Sequence, residues 1–124
     1  MINITFSEDK EAGSLILTMD GHAGAAPEGS DIVCSAASIL GSTLAQTLTF
    51  MYDHGRLKKK PHISMEKGKL KIIAKPKDEA RQQTRLVYWY TEVGMLLLAA
   101  NYKDFISLKP FDPAELKRAE LVNK

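Results

Sequence analysis

Cys34 is the only cysteine in the chain, and His22 precedes it across a segment that holds Gly21, Gly24, Pro27 and Gly29. A thiol gives a strong nucleophile once deprotonated, and an imidazole can take and return a proton near neutral pH. Together the pair could break an acyl bond through a covalent thioester. The two side chains are too far apart in sequence to meet within one element, so a bent loop must bring them together. Glycines permit such a bend. After Gly29 the composition changes: Asp31 to Asp53 contains no proline and only Gly41, which predicts a long helix with Cys34 in its first turn. The first amides of a helix have no intrahelical acceptor and its dipole is positive there, which suits a sulfur nucleophile and an oxyanion alike. Backbone N–H groups around Cys34 are the natural oxyanion donors. A lone cysteine near a helix start also has an ordinary reading as a small buried hydrophobe.

Two neighbours have double readings as well. Asp31 either orients the imidazole of His22 or caps the helix, and the two roles are compatible. Ser38 lies one turn after Cys34 on the same face, as a hydrogen-bonding neighbour of the sulfur or as a small residue that permits close packing. A zinc site built from Cys34, His22, His54 and His62 lacks any ligand pair at the usual spacing, so no metal or cofactor is expected. A redox role for Cys34 would lack a resolving cysteine in the same chain.

The spelling of the stretch is more specific than its composition. Gly21-His22-Ala23-Gly24, then Gly29, one spacer, and Asp31-Ile32-Val33-Cys34 with Ser38 following, resembles the Prp family of ribosomal-processing cysteine proteases. The likeness extends more weakly along most of the chain, including Tyr102-Lys103-Asp104-Phe105-Ile106 before a last strand. Within the loop, Ala25, Pro27 and Glu28 stand where larger side chains are common. The resemblance implies a cytoplasmic endopeptidase that removes a short, phenylalanine-containing N-terminal extension from a large-subunit ribosomal protein. It implies a catalytic pair of His22 and Cys34, a glycine-bearing loop that orders around the substrate, and a homodimer. The alternative is a non-catalytic, ribosome-associated binding protein of the same fold.

The elements that must position these residues follow from periodicity. Ile2, Ile4 and Phe6, then Leu15, Leu17 and Met19, alternate as two strands joined by a turn, and the second delivers the chain to Gly21 and His22. Val33, Ala37, Leu40, Leu44, Leu48 and Met51 form one stripe of a helix over about Asp31 to Tyr52, ended by His54-Gly55. Ile63 and Met65, then Leu70, Ile72 and Ala74, read as a hairpin around Glu66-Lys67-Gly68-Lys69. A second long helix runs from about Asp78 to Asn101. Its apolar line is Leu86, Tyr90, Val93, Leu97 and Ala100, with Val87, Thr91, Gly94 and Leu98 beside it. Phe105, Ile106 and Leu108 supply a last strand. Asp112-Pro113-Ala114-Glu115 opens a short terminal helix.

These elements predict a two-layer α+β domain over residues 1–110, in the order β-β-α-β-β-α-β with a mostly antiparallel sheet, and a helical tail at 111–124. The 44% hydrophobic and 26% charged content fit an ordinary globular domain. A single cysteine suits a reducing cytosol, and the first residues lack the basic and apolar regions of a signal peptide. No apolar run approaches a membrane span, so no membrane partner is expected. Arg56-Leu57-Lys58-Lys59-Lys60 reads as a solvated connection, because no aromatic residue interleaves the charges and the net charge is only +2. Direct nucleic-acid binding is not expected on that ground. Helix 2 carries a surplus of apolar surface, including Trp89, Tyr90, Met95 and Leu96, which supports a homodimer.

Overall fold

The computed structural model describes residues 1–21, 30–66 and 68–122; for residues 30, 31 and 119–122 it describes the backbone alone. The order is β1 (Ile2–Asp9), β2 (Ser14–Gly21), α1 (Ser30–Asp53), β3 (His62–Glu66), β4 (Lys69–Ala74), a 3-10 turn (Asp78–Ala80), α2 (Arg81–Asn101), β5 (Ile106–Lys109) and α3 (Pro113–Val122). The sheet runs β3-β4-β2-β1-β5. All its pairings are antiparallel except β1 with β5. The order of elements is the one that periodicity predicts.

Alternation, clearest along β1, β4 and β5, gives the sheet one apolar face. Ile2, Ile4, Phe6, Leu15, Leu17, Ile72, Ile106 and Leu108 are buried there with the inner stripes of both long helices in one cluster. On α1 that stripe is Val33, Ala37, Leu44, Leu48 and Met51, as the sequence spacing predicts. Each fully buried leucine stabilises the domain by roughly 1.5–3 kcal/mol. By length and composition α1 could cross a membrane, but its inner stripe belongs to the core cluster, the arrangement of a helix built into a globular domain. The helix closes with Gly55 N donating to the Tyr52 carbonyl and Arg56 N to that of Met51. At Gly94, α2 passes so close to α1 that a β-carbon there would lie 2.8 Å from Leu40 Cδ2.

The second helix differs from its predicted orientation. Its buried residues are Thr84, Tyr88, Thr91, Glu92, Met95, Leu96 and Ala99. Leu86, Tyr90, Val93 and Leu97, the predicted apolar line, are exposed. The inner face admits polar groups because they find partners there. Tyr88, fully buried, donates its hydroxyl to the Leu15 carbonyl at 2.9 Å, and burial holds its phenol above the usual range. Thr84 bonds back to the Ala80 carbonyl at 2.8 Å. Met95 and Leu96, expected as surplus surface, belong to the core.

Glu92 joins the terminal segment to the domain. It is 1% exposed and accepts the Phe111 backbone N–H at 2.7 Å. The Phe111 ring packs 5.4 Å from that of Phe6 and 6.4 Å from that of Tyr88. Burial pushes the Glu92 carboxyl above its ordinary range, and the nearby Glu115 and Asp112 push it the same way. The folded chain therefore holds this proton more tightly than the unfolded chain does. The resulting stability is fully present below the ordinary glutamate pKa and is lost as pH rises through the raised value. Glu92→Gln removes that dependence while keeping an acceptor for Phe111. In thermal melts its stability relative to the wild type is expected to rise as pH climbs from the acid range, where the wild-type carboxyl keeps its proton, to mildly alkaline pH, where that proton is lost.

Candidate active site

Strand β2 ends at Gly21 and helix α1 begins at Ser30, so the sheet and the helix fix both ends of the intervening segment. Gly21 has φ +94°, and a β-carbon there would run into the Met1 carbonyl oxygen. Its N–H donates to the Gly68 carbonyl at 2.9 Å, tying the end of β2 to the β3–β4 turn. Only glycine satisfies both the backbone angle and the space.

Cys34 is half-buried one turn into α1, with one side against the core. The amides without an intrahelical acceptor belong to the turn before it. A cavity of about 310 Å³ opens beside it. Gly21 and Gly68 form part of its backbone wall; Cys34, Ala37, Ser38 and Ser42 line it from α1; Ile2, Met19, Met65 and Leu70 give it an apolar lining. Asp20, Glu66 and Lys69 also line it. In register Lys69 sits opposite both acids, and Asp20 accepts a hydrogen bond from Asn3 Nδ2 at 3.1 Å. Flexible methionine and leucine side chains let such a wall adapt to an apolar side chain of a peptide.

Among the predicted site residues, the structure brings Gly21, Cys34 and Ser38 to this one cavity. His22, Gly24 and Gly29 lie outside the described residues, as does the side chain of Asp31, so their expected roles and those of the loop fall there too. Met19, Met65 and Leu70 were readable only as strand residues. Ser42 extends the Cys34–Ser38 line by another four residues. That continuation is the one signal in the sequence that pointed to it. His54 caps the end of α1 through an Nδ1 contact of 2.8 Å with the Phe50 carbonyl, and His62 is exposed at the start of β3.

A two-layer α+β domain with a half-buried thiol one turn into its first helix, beside a cavity that can take a peptide side chain, is a fitting frame for a thiol hydrolase. The model of the family described as cysteine protease Prp matches residues 1–107, and the chain belongs to that family. Among solved structures, it resembles the ribosomal processing protease Prp of S. aureus in complex with a substrate peptide. That likeness has a TM-score of 0.68 at 22% identity, over 89% of this chain and 99% of the other. The same S. aureus protease with a covalently linked product peptide gives a TM-score of 0.65 at 24% identity, with the same coverage. A Streptococcus mutans protein gives 0.65 at 27%, over 90% of this chain and 94% of its own. No curated protein matches the chain.

Proposed function

We propose that this chain is a cytoplasmic cysteine endopeptidase that trims an N-terminal extension from a large-subunit ribosomal protein. The observation that carries the reading is the single cavity shared by Cys34 and Gly21, since Gly21 immediately precedes His22. His22 takes the thiol proton, and Cys34 Sγ attacks the scissile carbonyl carbon. The oxyanion is met by amides of the α1 start. The imidazolium then gives its proton to the leaving amine as the C–N bond breaks, leaving a thioester. Water, deprotonated by the same imidazole, attacks the thioester, and the thiolate departs with release of the N-terminal fragment. The apolar wall of Met19, Met65 and Leu70 accepts an apolar or aromatic side chain next to the cleaved bond. Asp31 orients His22 or caps α1, and Gly24 and Gly29 let the segment fold over the peptide. Residues 1–110 form the protease domain, and 111–124 are its appended tail. Incubation with peptides copying ribosomal-protein N-termini, followed by mass spectrometry, tests the reading. One cleavage beside a phenylalanine supports it, and intact peptides throughout refute it in favour of a non-catalytic binding protein.

The chain acts as a homodimer in this reading, through the outer faces of the long helices. Ile39 on α1 and Leu86, Trp89, Tyr90 and Leu97 on α2 are exposed there. Ile39 and Leu97 line a groove of about 600 Å³ between the helices. Large apolar side chains left open on neighbouring helices favour a self-complementary interface. Wild-type protein is expected to sediment as a dimer at micromolar concentration and Tyr90→Glu as a monomer of 13.7 kDa. A monomeric wild type would overturn the dimer.

A further inference from the structure

We propose that the β3–β4 side of the sheet is a docking surface for the phosphate backbone of RNA. The near-neutral total of the chain conceals a separation of charge. Ten of the seventeen Lys and Arg residues fall between Arg56 and Arg81, with only three acids among them, while the remainder holds seven cations against twelve acids. Taken alone, the run at 56–60 reads as a solvated connection. The fold adds to it. Lys58 N donates to the Lys75 carbonyl at 2.8 Å and Lys77 N to the Arg56 carbonyl at 3.0 Å. Leu57 bridges Pro76, so the segment after α1 runs antiparallel to the segment after β4. Lys71 lies on the same strand, directly opposite Ser64 and Thr18 on the uncovered sheet face.

Self-neutralisation is slight. Asp78 takes both Lys58 at 3.8 Å and Arg81 at 2.9 Å. Among the described residues, Lys59, Lys60, Lys71, Lys75 and Lys77 have no carboxylate within ion-pair distance. Lysines do protect exposed sheet edges from mispairing, but the edge strand β3, His62–Glu66, contains none. The charge sits on β4 and the flanking segments instead. A protein partner would want an apolar centre to desolvate; the uncovered face offers only the half-buried Ile16–Ile73 pair, and the exposed Ile63 and Met65 lie on the helix side of β3, with Met65 lining the cavity. No Phe, Tyr or Trp occurs between Arg56 and Arg81 and His62 stands alone, so there is no row of rings on which single-stranded bases could stack. What remains is an array of mobile cations suited to double-helical phosphates. The choice of RNA rests on the proposed processing of a ribosomal protein. Strand β4 begins at the cavity with Lys69 and ends at the basic cluster, so docking there leaves the site open.

The test is fluorescence anisotropy of the full chain with a labelled RNA duplex of about 16 base pairs, in about 50 to 200 mM salt. Saturable binding is expected, with a slope of log affinity against log salt of about −3 to −5. The triple reversal Lys59→Glu, Lys71→Glu, Lys75→Glu should weaken binding at least about tenfold, since it removes and inverts several phosphate contacts. The control Lys109→Glu on β5 should change it little. Peptide cleavage by the triple variant should stay within about twofold of wild type, because none of the three residues lines the cavity. No binding at low salt, or binding that the triple reversal leaves intact, overturns the proposal. Competition by polyglutamate as strong as by RNA would assign the surface to an acidic protein, and tighter binding of duplex DNA would assign it to DNA. Binding of RNA by a protein that cleaves no peptide would refute the proteolytic reading and leave this one standing.

Discussion

Cys34→Ala is expected to abolish peptide cleavage, lowering kcat/KM by at least about ten-thousand-fold, because no other thiol exists in the chain to form the thioester. The fold should survive. Cys34 is only half-buried beside an open cavity, so the melting temperature should move by no more than a few degrees, about the effect of an ordinary partly exposed substitution. His22→Ala should lose a comparable factor, and the double variant should be hardly worse than either alone, since the two groups act as one unit. Asp31→Asn keeps a capping oxygen and removes the charge. A large rate loss would assign Asp31 an electrostatic role on His22, and an unchanged rate would leave it a helix cap. Cleavage of a fluorogenic peptide by Cys34→Ala at the wild-type rate would sink the mechanism.

Gly21→Ala should damage both stability and rate. The φ of +94° is strained for any residue with a β-carbon, and the obstructing atom is a backbone oxygen of Met1 rather than a side chain that can swing away. The cost is about 1–3 kcal/mol, readable as a lower denaturation midpoint. A displaced Gly21 also loses its hydrogen bond to Gly68 and shifts the residue that follows it. A misplacement of about 1 Å is worth roughly a hundredfold in rate. At a temperature where the variant is still fully folded, activity should therefore already be lost. A variant with wild-type kcat/KM would show that the tie to Gly68 does not position the catalytic base.

The contrast between the two long helices shows what was legible in the sequence. On α1, burial follows residue type, so the stripe from Val33 to Met51 could be read directly. On α2 residue type misleads. The inner face uses Thr84, Tyr88 and Glu92, each acceptable only because a particular acceptor or donor meets it: the Ala80 carbonyl, the Leu15 carbonyl and the Phe111 amide. The partners of Tyr88 and Glu92 lie 73 and 19 residues away, and no local pattern announces them. The outer line of Leu86, Tyr90, Val93 and Leu97 has the better apolar spacing and still faces out. At the site, Gly21 and Cys34 stood out through spelling, whereas Met19, Met65 and Leu70 come from three strands and meet only because of register. The expected pairing of His22 with Cys34 comes from family resemblance, not from spacing, and His22 lies outside the described residues.

Strand β1 sits inside the sheet, with β2 on one side and β5 on the other. Its pairing with β2 closes a short hairpin, but its pairing with β5 joins Ile2 to Ile106. On a chain emerging from the ribosome, the hairpin, α1 and the β3–β4 pair can assemble while the second flank of β1 is still bare. Closing a loop of about a hundred residues costs roughly 2 kcal/mol more in chain entropy than closing one of ten. That step must wait until nearly the whole domain has been synthesised. For most of its birth, this protein carries an open edge on a strand that ends up inside its sheet, and the nascent molecule is open to mispairing there until the domain is nearly complete.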